Sequence, residues 1–120
     1  MTPISVLTLL GCCAFAAAIA LGQLLFKLAA ADVAQRMHRS WLYATLSPWL
    51  IASVMLYVAA TVLWVAILTQ LPLTRAYPFA LLGAALVPFL AHAVLGESFN
   101  TFQLAGFSLI LAGLFLTQMG

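Results

Sequence analysis

Long runs of apolar residues alternate with short polar segments along the whole chain. Four runs reach the roughly 20 residues that an α-helix needs to cross the hydrocarbon core of a bilayer. They cover about residues 4–26, 48–71, 76–95 and 102–119. Because backbone groups in lipid must be hydrogen-bonded within their own segment, each run is predicted to be a helix. The pattern therefore predicts an all-α polytopic membrane protein, a four-transmembrane-helix bundle forming a single domain over residues 1–120.

Local signals indicate where the second, third and fourth spans begin. Pro48 falls at the expected first turn of the second span, where its missing N–H costs nothing. Pro78 lies near the start of the third span and disfavours helical geometry at Tyr77, so a turn is expected there. The fourth span has three candidate N-cap residues, which are Ser98, Asn100 and Thr101.

Composition supports a membrane location and excludes several functions. The chain is 67% hydrophobic and 5% charged, with mean hydropathy +1.22, whereas soluble domains carry about 25% charged residues. A net charge of +2 without a basic cluster argues against nucleic-acid binding. With two acidic residues and no hydrolase, nucleotide-binding or metal-ligand motif, we expect no enzymatic activity, no metal and no cofactor.

The distribution of basic residues predicts how the protein is oriented. Four spans place both termini on one side of the membrane, together with the segment around Arg75. The long first link, on the other side, brings the basic residues Lys27, Arg36 and Arg39. Since cytoplasmic loops are enriched in Lys and Arg, the first link is predicted to be cytoplasmic and both termini to be periplasmic.

A few polar residues stand at the edges of the spans. Gln23 and Lys27 are four apart and can share one face of a helix, which would give a polar wall ending in a cation. Glu97 follows the third span on the same predicted side as Lys27. The structural alternatives are a lysine whose side chain reaches the interface and an ion pair between Lys27 and Glu97.

Arg75 lies on the opposite side, between Pro72 and Pro78. Its structural alternative is again a side chain that reaches the headgroups. An arginine can also hold a phosphate through its planar fork of donors. Trp64 lies on one stripe of the second span and could line a cavity or pack, with packing favoured.

The last span carries small residues at helical spacing. Gly106 and Gly113 are seven apart and fall on one stripe of the helix. Small residues let helices approach closely in membranes, so a helix–helix interface is predicted along this stripe.

Four segments together resemble the small four-helix members of the drug/metabolite transporter superfamily. They are GQLLFK at 22–27, LWVAILTQLPLTRAYPF at 63–79, LGES at 95–98 and GFSLILAG at 106–113. One branch, the small multidrug resistance family, exports organic cations and is defined by a glutamate in the middle of the first span. Ile19 stands at about that position here, and residues 3–26 contain no acidic residue.

The other branch consists of the paired subunits proposed to flip aminoarabinose-phosphoundecaprenol in the bacterial inner membrane, and this chain is similar to them. It shares the Gly–Gln–x–x–x–Lys motif at 22–27, the Ala–Tyr–Pro motif at 76–78 and an acidic residue near Glu97. This resemblance implies a flippase for a polyprenyl-phosphate-linked sugar or a similar anionic lipid. Arg75 and Lys27 would bind the phosphate on opposite faces, with Gln23 and Tyr77 along the path.

Such a small bundle encloses little volume, so a second subunit is expected. The sequence leaves open a homodimer or a heterodimer with a related small subunit. It also leaves two other functions open, which are an exporter of organic cations and a non-transporting assembly subunit.

Overall fold

The computed structural model describes residues 5–119, so Ile4, at which the first predicted span begins, lies outside the described residues. Five helices make up most of this part of the chain. They are α1 (Val6–Arg36), α2 (Trp41–Thr45), α3 (Pro48–Leu68), α4 (Leu73–Leu95) and α5 (Thr101–Thr117). Pro48 stands in the first turn of α3, as predicted, and Ser47 caps that helix.

Helix α1 continues well beyond the predicted first span. It has 31 residues and starts at the N-cap Ser5, whose hydroxyl accepts a 3.2 Å hydrogen bond from the backbone N–H of Thr8. Alanines after Lys27 strongly favour helix, so the chain stays helical through Asp32 and the helix ends at Arg36. Much of the long polar link is therefore helical, and α2 occupies a further five residues of it.

Helix α4 begins at Leu73, and the prediction of a turn at Tyr77 is wrong. Pro78 lies inside the helix, where it removes one hydrogen bond, the one to the carbonyl of Thr74. The preceding turn is intact, since the N–H of Ala76 bonds the carbonyl of Pro72 at 3.1 Å. In lipid, an unpaired backbone group costs several kcal/mol, so keeping the remaining bonds outweighs the preference imposed by proline.

The core lies where α1 packs between α3 and α4. Its buried residues come from these three helices and the α3–α4 link, and they are Cys12, Phe15, Ala60, Ile67, Leu71, Ala76 and Phe79. Close approach depends on Gly83 of α4, because a Cβ there would lie 2.7 Å from the carbonyl oxygen of Ala16. The backbones of α1 and α4 therefore nearly touch at this point.

Helix α5 packs against α4 at the edge of the bundle, and none of its residues is buried. Asn100 is the N-cap, one of the three predicted candidates, and it forms a capping box with Gln103. Within residues 5–119, three helices are long and apolar enough to cross a membrane, and α5 is a shorter apolar helix of 17 residues. The protein is a small all-α membrane bundle.

Candidate functional site

The predicted site residues are divided between two ends of the bundle. The Arg75 end comprises the first turns of α1 and α4 and the last turns of α3 and α5. The Lys27 end comprises the last turns of α1 together with α2, the first turn of α3 and the α4–α5 link. Side-chain contacts between the helices show how far along the bundle each residue lies between these two ends.

A polar network closes the Lys27 end. The Asp32 carboxylate accepts hydrogen bonds from Arg36 Nε at 3.0 Å and from the hydroxyl of Ser47 at 2.5 Å. Ser47 is fully buried, and the Arg36 guanidinium lies 4.4 Å from the ring centre of Tyr43. The network therefore fastens the end of α1 to α2 and to the first turn of α3.

Lys27 lies nearer the middle of the bundle than the polar network does, whereas it was expected at the end of the first span. Asp32 contacts Ser47, immediately before α3, whereas Phe26, which precedes Lys27, packs on Tyr57, almost halfway along that helix, with ring centres 4.9 Å apart. At 1.5 Å per residue, Lys27 is roughly 7 Å further into the bundle than Asp32. Its side chain is exposed, so its long methylene stem can carry the ammonium outward.

Gln23 bonds α3 across the helix interface. Its amide nitrogen donates a 2.6 Å hydrogen bond to the hydroxyl oxygen of Tyr57, whose own hydroxyl lies 3.4 Å from the carbonyl oxygen of Ile19. The Tyr57 ring packs over Gly22, where any Cβ would collide with it. Gln23 therefore combines a structural role with a position one helical turn from Lys27.

Aromatic contacts join the three central helices nearer the Arg75 end. Trp64 of α3 stacks on Phe15 of α1 with ring centres 4.7 Å apart. Tyr77 of α4 meets the edge of Trp64 at 6.4 Å and is 50% exposed. Trp64 therefore packs between α1 and α4, and half of the Tyr77 surface stays exposed.

Arg75 stands in the first turn of α4 and is partly buried. No side chain caps this helix, because its N-cap residue is Pro72. The partial positive charge of a helix N-terminus and the guanidinium therefore lie together, which favours an anion at this end.

The ion pair expected between Lys27 and Glu97 does not form among residues 5–119, where Asp32 instead pairs with Arg36 at 3.0 Å. Glu97 follows Gly96, which ends α4 with a φ of 70°, and it is exposed. His92 instead contacts the backbone carbonyl oxygen of Glu97 through Nδ1 at 2.7 Å.

Grooves in the described surface include two between α4 and α5 and one between α1 and α3. The two beside α5 have volumes of about 300 and 370 Å³ and apolar walls, and the second includes Gly113. Neither Arg75 nor Lys27 lines these grooves, so a single chain does not join the two cations through them. Gly106 and Gly113 face open space, with nothing within 4 Å of a Cβ placed on them.

Sequence reasoning undervalued Tyr57, Asp32 and Ser47 as partners of the candidate residues. Tyr57 is seven residues before Trp64 on the same stripe of α3, a spacing that gives no sign of its bond to Gln23. Asp32 and Arg36 have the i, i+4 spacing of a helical ion pair, but that signal requires α1 to extend past Lys27. The helix length was the missing information.

An all-α bundle of long apolar helices with cations near its two ends defines a small multi-pass membrane protein. Comparison with known proteins identifies its family. The chain is 35% identical over 103 residues to a protein of Pectobacterium atrosepticum named as a probable 4-amino-4-deoxy-L-arabinose-phosphoundecaprenol flippase subunit ArnE, with 82% of this chain and 86% of the relative covered. It is 33% identical over 95 residues to the protein of the same name in Aeromonas hydrophila subsp. hydrophila, covering 79% and 82%.

The chain therefore belongs to the ArnE family of flippase subunits. The resemblance to aminoarabinose-phosphoundecaprenol flippase subunits is confirmed. No family model matches the sequence, and no solved structure matches it.

Proposed function

We propose that this protein is one subunit of a bacterial inner-membrane flippase for a polyprenyl-phosphate-linked sugar. The observation that carries the proposal is the similarity, over about four-fifths of the chain, to subunits named for 4-amino-4-deoxy-L-arabinose-phosphoundecaprenol. The apolar outer surface suits this passenger, since its polyprenyl tail can remain in lipid while only the headgroup crosses the protein.

The phosphate would be bound at each end of the bundle by a different cation. At the Arg75 end, the guanidinium and the uncapped first turn of α4 offer a fork of donors and a favourable helix dipole. At the Lys27 end, the ammonium provides a flexible point charge that can follow a moving headgroup. Tyr77 and Gln23 lie between these levels and supply uncharged polar groups to the path.

The remaining predicted residues have supporting roles in this proposal. Trp64 holds Tyr77 in place by their edge contact. Glu97 is the acidic residue of the α4–α5 link, where an exposed carboxylate can pair with the ammonium of an amino sugar. By the distribution of Lys and Arg, the Lys27 end faces the cytoplasm and the termini face the periplasm.

The transporter would be completed by a second small subunit lying against α5. Helix α5 buries none of its residues, and Gly106 and Gly113 leave room for the backbone of another helix. The partner is either a second copy or a related chain. A site between oppositely oriented repeats is common in transporters and would place α5 near a central interface.

Reconstitution tests the function directly. The protein, alone and co-expressed with a related small subunit, is placed in liposomes that carry a fluorescent polyprenyl-phosphate sugar, and access to the lipid is measured from each leaflet. We expect Arg75→Ala to slow flipping at least about tenfold, because the contact of an arginine with a phosphate is charge-assisted. Arg75→Lys should retain part of the rate, and Lys27→Ala should also slow it.

Arg39→Ala is the matched control, since Arg39 is exposed and stacks only loosely, 5.5 Å from the ring centre of Tyr43. It should flip at the wild-type rate. Wild-type flipping by Arg75→Ala, in protein that is folded by circular dichroism, contradicts the proposed role of this residue. Absence of flipping by the wild-type pair contradicts the function itself.

A further inference from the structure

A groove between α1 and α3 opens at the Arg75 end. Its volume is about 410 Å³, within the range of small-molecule sites. One wall is apolar, whereas the outer rim carries four uncharged polar side chains, which are Ser5, Thr8, Thr69 and Gln70. Gly11 lies in the floor, and a Cβ there would come within 3.8 Å of Ile67, so a larger side chain would occupy the space.

Among residues 5–119, the polar rim keeps hydrogen-bonding capacity that no other group takes up. The hydroxyls of Ser5 and Thr8 share one hydrogen bond of 2.7 Å, so one of their two hydroxyl hydrogens remains available. Gln70 donates one weak bond of 3.4 Å to Thr69, which leaves its carbonyl oxygen and a second N–H. Ser5 and Gln70 are exposed, so these donors and acceptors are open to a ligand at the mouth of the groove.

The lining of the groove also limits what it can bind. None of its residues is charged, so it offers nothing specific to a phosphate or an ammonium. Uncharged donors and acceptors above an apolar wall match a sugar ring, with hydroxyls at its edge and C–H groups on its face. The groove lies at the same end of the bundle as Arg75, whose guanidinium would hold the adjoining phosphate.

We infer that this groove binds the hydroxyl-bearing sugar of the lipid passenger at the Arg75 end. The inference rests on the proposed function and assigns recognition of the sugar to Thr8, Gln70 and their neighbours. Arg75 would thus hold the charge that all polyprenyl phosphates share, and the groove would distinguish those that carry a sugar.

A binding ratio tests the assignment. The affinities of purified protein for farnesyl phosphate and for farnesyl phosphate carrying 4-amino-4-deoxy-L-arabinose are measured by native mass spectrometry. The double variant Thr8→Val/Gln70→Leu removes the rim while preserving side-chain size. We expect it to lower the preference for the sugar-bearing lipid about tenfold, as the loss of two neutral hydrogen bonds predicts, without weakening the sugar-free lipid.

The matched control is Thr61→Val/Gln118→Leu. Thr61 bonds the Tyr57 carbonyl, and Gln118 bonds Thr117 as Gln70 bonds Thr69, yet neither lines the groove. This control should keep the wild-type preference. An unchanged preference in the rim variant, or an equal loss in the control, overturns the assignment.

Two further outcomes separate the inference from the proposed function. If phosphatidylglycerol displaces the sugar-bearing lipid from the wild-type protein as readily as the sugar-bearing lipid itself does, the groove is an ordinary lipid contact and the inference fails alone. If the wild-type protein binds neither farnesyl lipid, the proposed function fails and the inference fails with it.

Discussion

The side-chain amide of Gln23 donates a 2.6 Å hydrogen bond to the hydroxyl oxygen of Tyr57, which joins α1 to α3 across the middle of the bundle. The ring of the same tyrosine packs over Gly22 and against Phe26. A residue proposed to line the substrate path is thus also a structural link, and stability and transport must be measured separately when it is changed.

Replacing either partner of this bond should lower stability by a modest amount. Tyr57→Phe keeps the ring but leaves the Gln23 amide without its acceptor, so we expect a loss of about 1 kcal/mol in the free energy of unfolding. A double-mutant cycle with Gln23→Leu, followed by unfolding in mixed micelles, should give a coupling near 0.6 kcal/mol, the average for such bonds in a membrane protein. A coupling of zero would show that the two groups do not interact in the folded protein.

The contact between Gly83 and the backbone of Ala16 predicts a larger effect. Gly83→Ala places a methyl group 2.7 Å from a carbonyl oxygen that cannot rotate away, so α1 and α4 must separate. Overpacking of this kind costs about 1–3 kcal/mol. The control is Gly106→Ala, where the added methyl meets open space and alanine is the better helix former. Equal stability of the two variants would mean that the helices do not approach as described.

The network around Asp32 should hold the first link in place. Asp32→Ala removes the acceptor of the fully buried Ser47 hydroxyl and of Arg36, so we expect a loss of about 1–3 kcal/mol. Hydrogen exchange of the backbone amides in residues 41–47 should become faster. Asp32→Asn keeps one oxygen acceptor and should show a smaller change. Wild-type exchange in the alanine variant would be inconsistent with a link fastened by this network.

The stripe on α5 should govern association with another subunit. Gly113→Leu fills the space that a neighbouring helix would need, so we expect dimer formation in bicelles to weaken by at least about tenfold, measured by energy transfer between labelled chains. Monomer stability should change little, since nothing lies within 4 Å of a Cβ placed on this residue. Ala52→Leu, on the exposed surface of α3, is the control. Undiminished association of the Gly113 variant would place the interface elsewhere.

Much of the architecture was readable from the chain because lipid imposes strict rules. Apolar run length predicted the long helices, and proline and asparagine chemistry indicated the starts of α3 and α5. The depth of Lys27 was not predictable, since it depends on α1 continuing through Asp32 to Arg36 beyond its apolar part. The helical state of Tyr77 was mispredicted for a related reason. A local preference before Pro78 was overcome by the hydrogen bonds of an entire membrane helix.

The site was predicted less completely than the fold. Sequence spacing placed Gln23 and Lys27 on one face, but it could not reveal that Gln23 is bound to Tyr57, 34 positions away. Likewise, Ser5 and Gln70 gave no separate signal, because only the packing of α1 on α3 brings the start of one helix to the end of the other. Contacts between distant segments require the folded structure.

The placement of α1 between α3 and α4 also determines how the protein can move. Both neighbours pack mainly on α1 and only slightly on each other, so we expect each to tilt against α1 separately. Helix α1 would then be the fixed axis of the bundle, and α3 and α4 would be its two moving parts. The point where Gly83 of α4 lies against the backbone of α1 would be the pivot of such a motion. Opening of α4 at one side of the bilayer would then accompany its closure at the other.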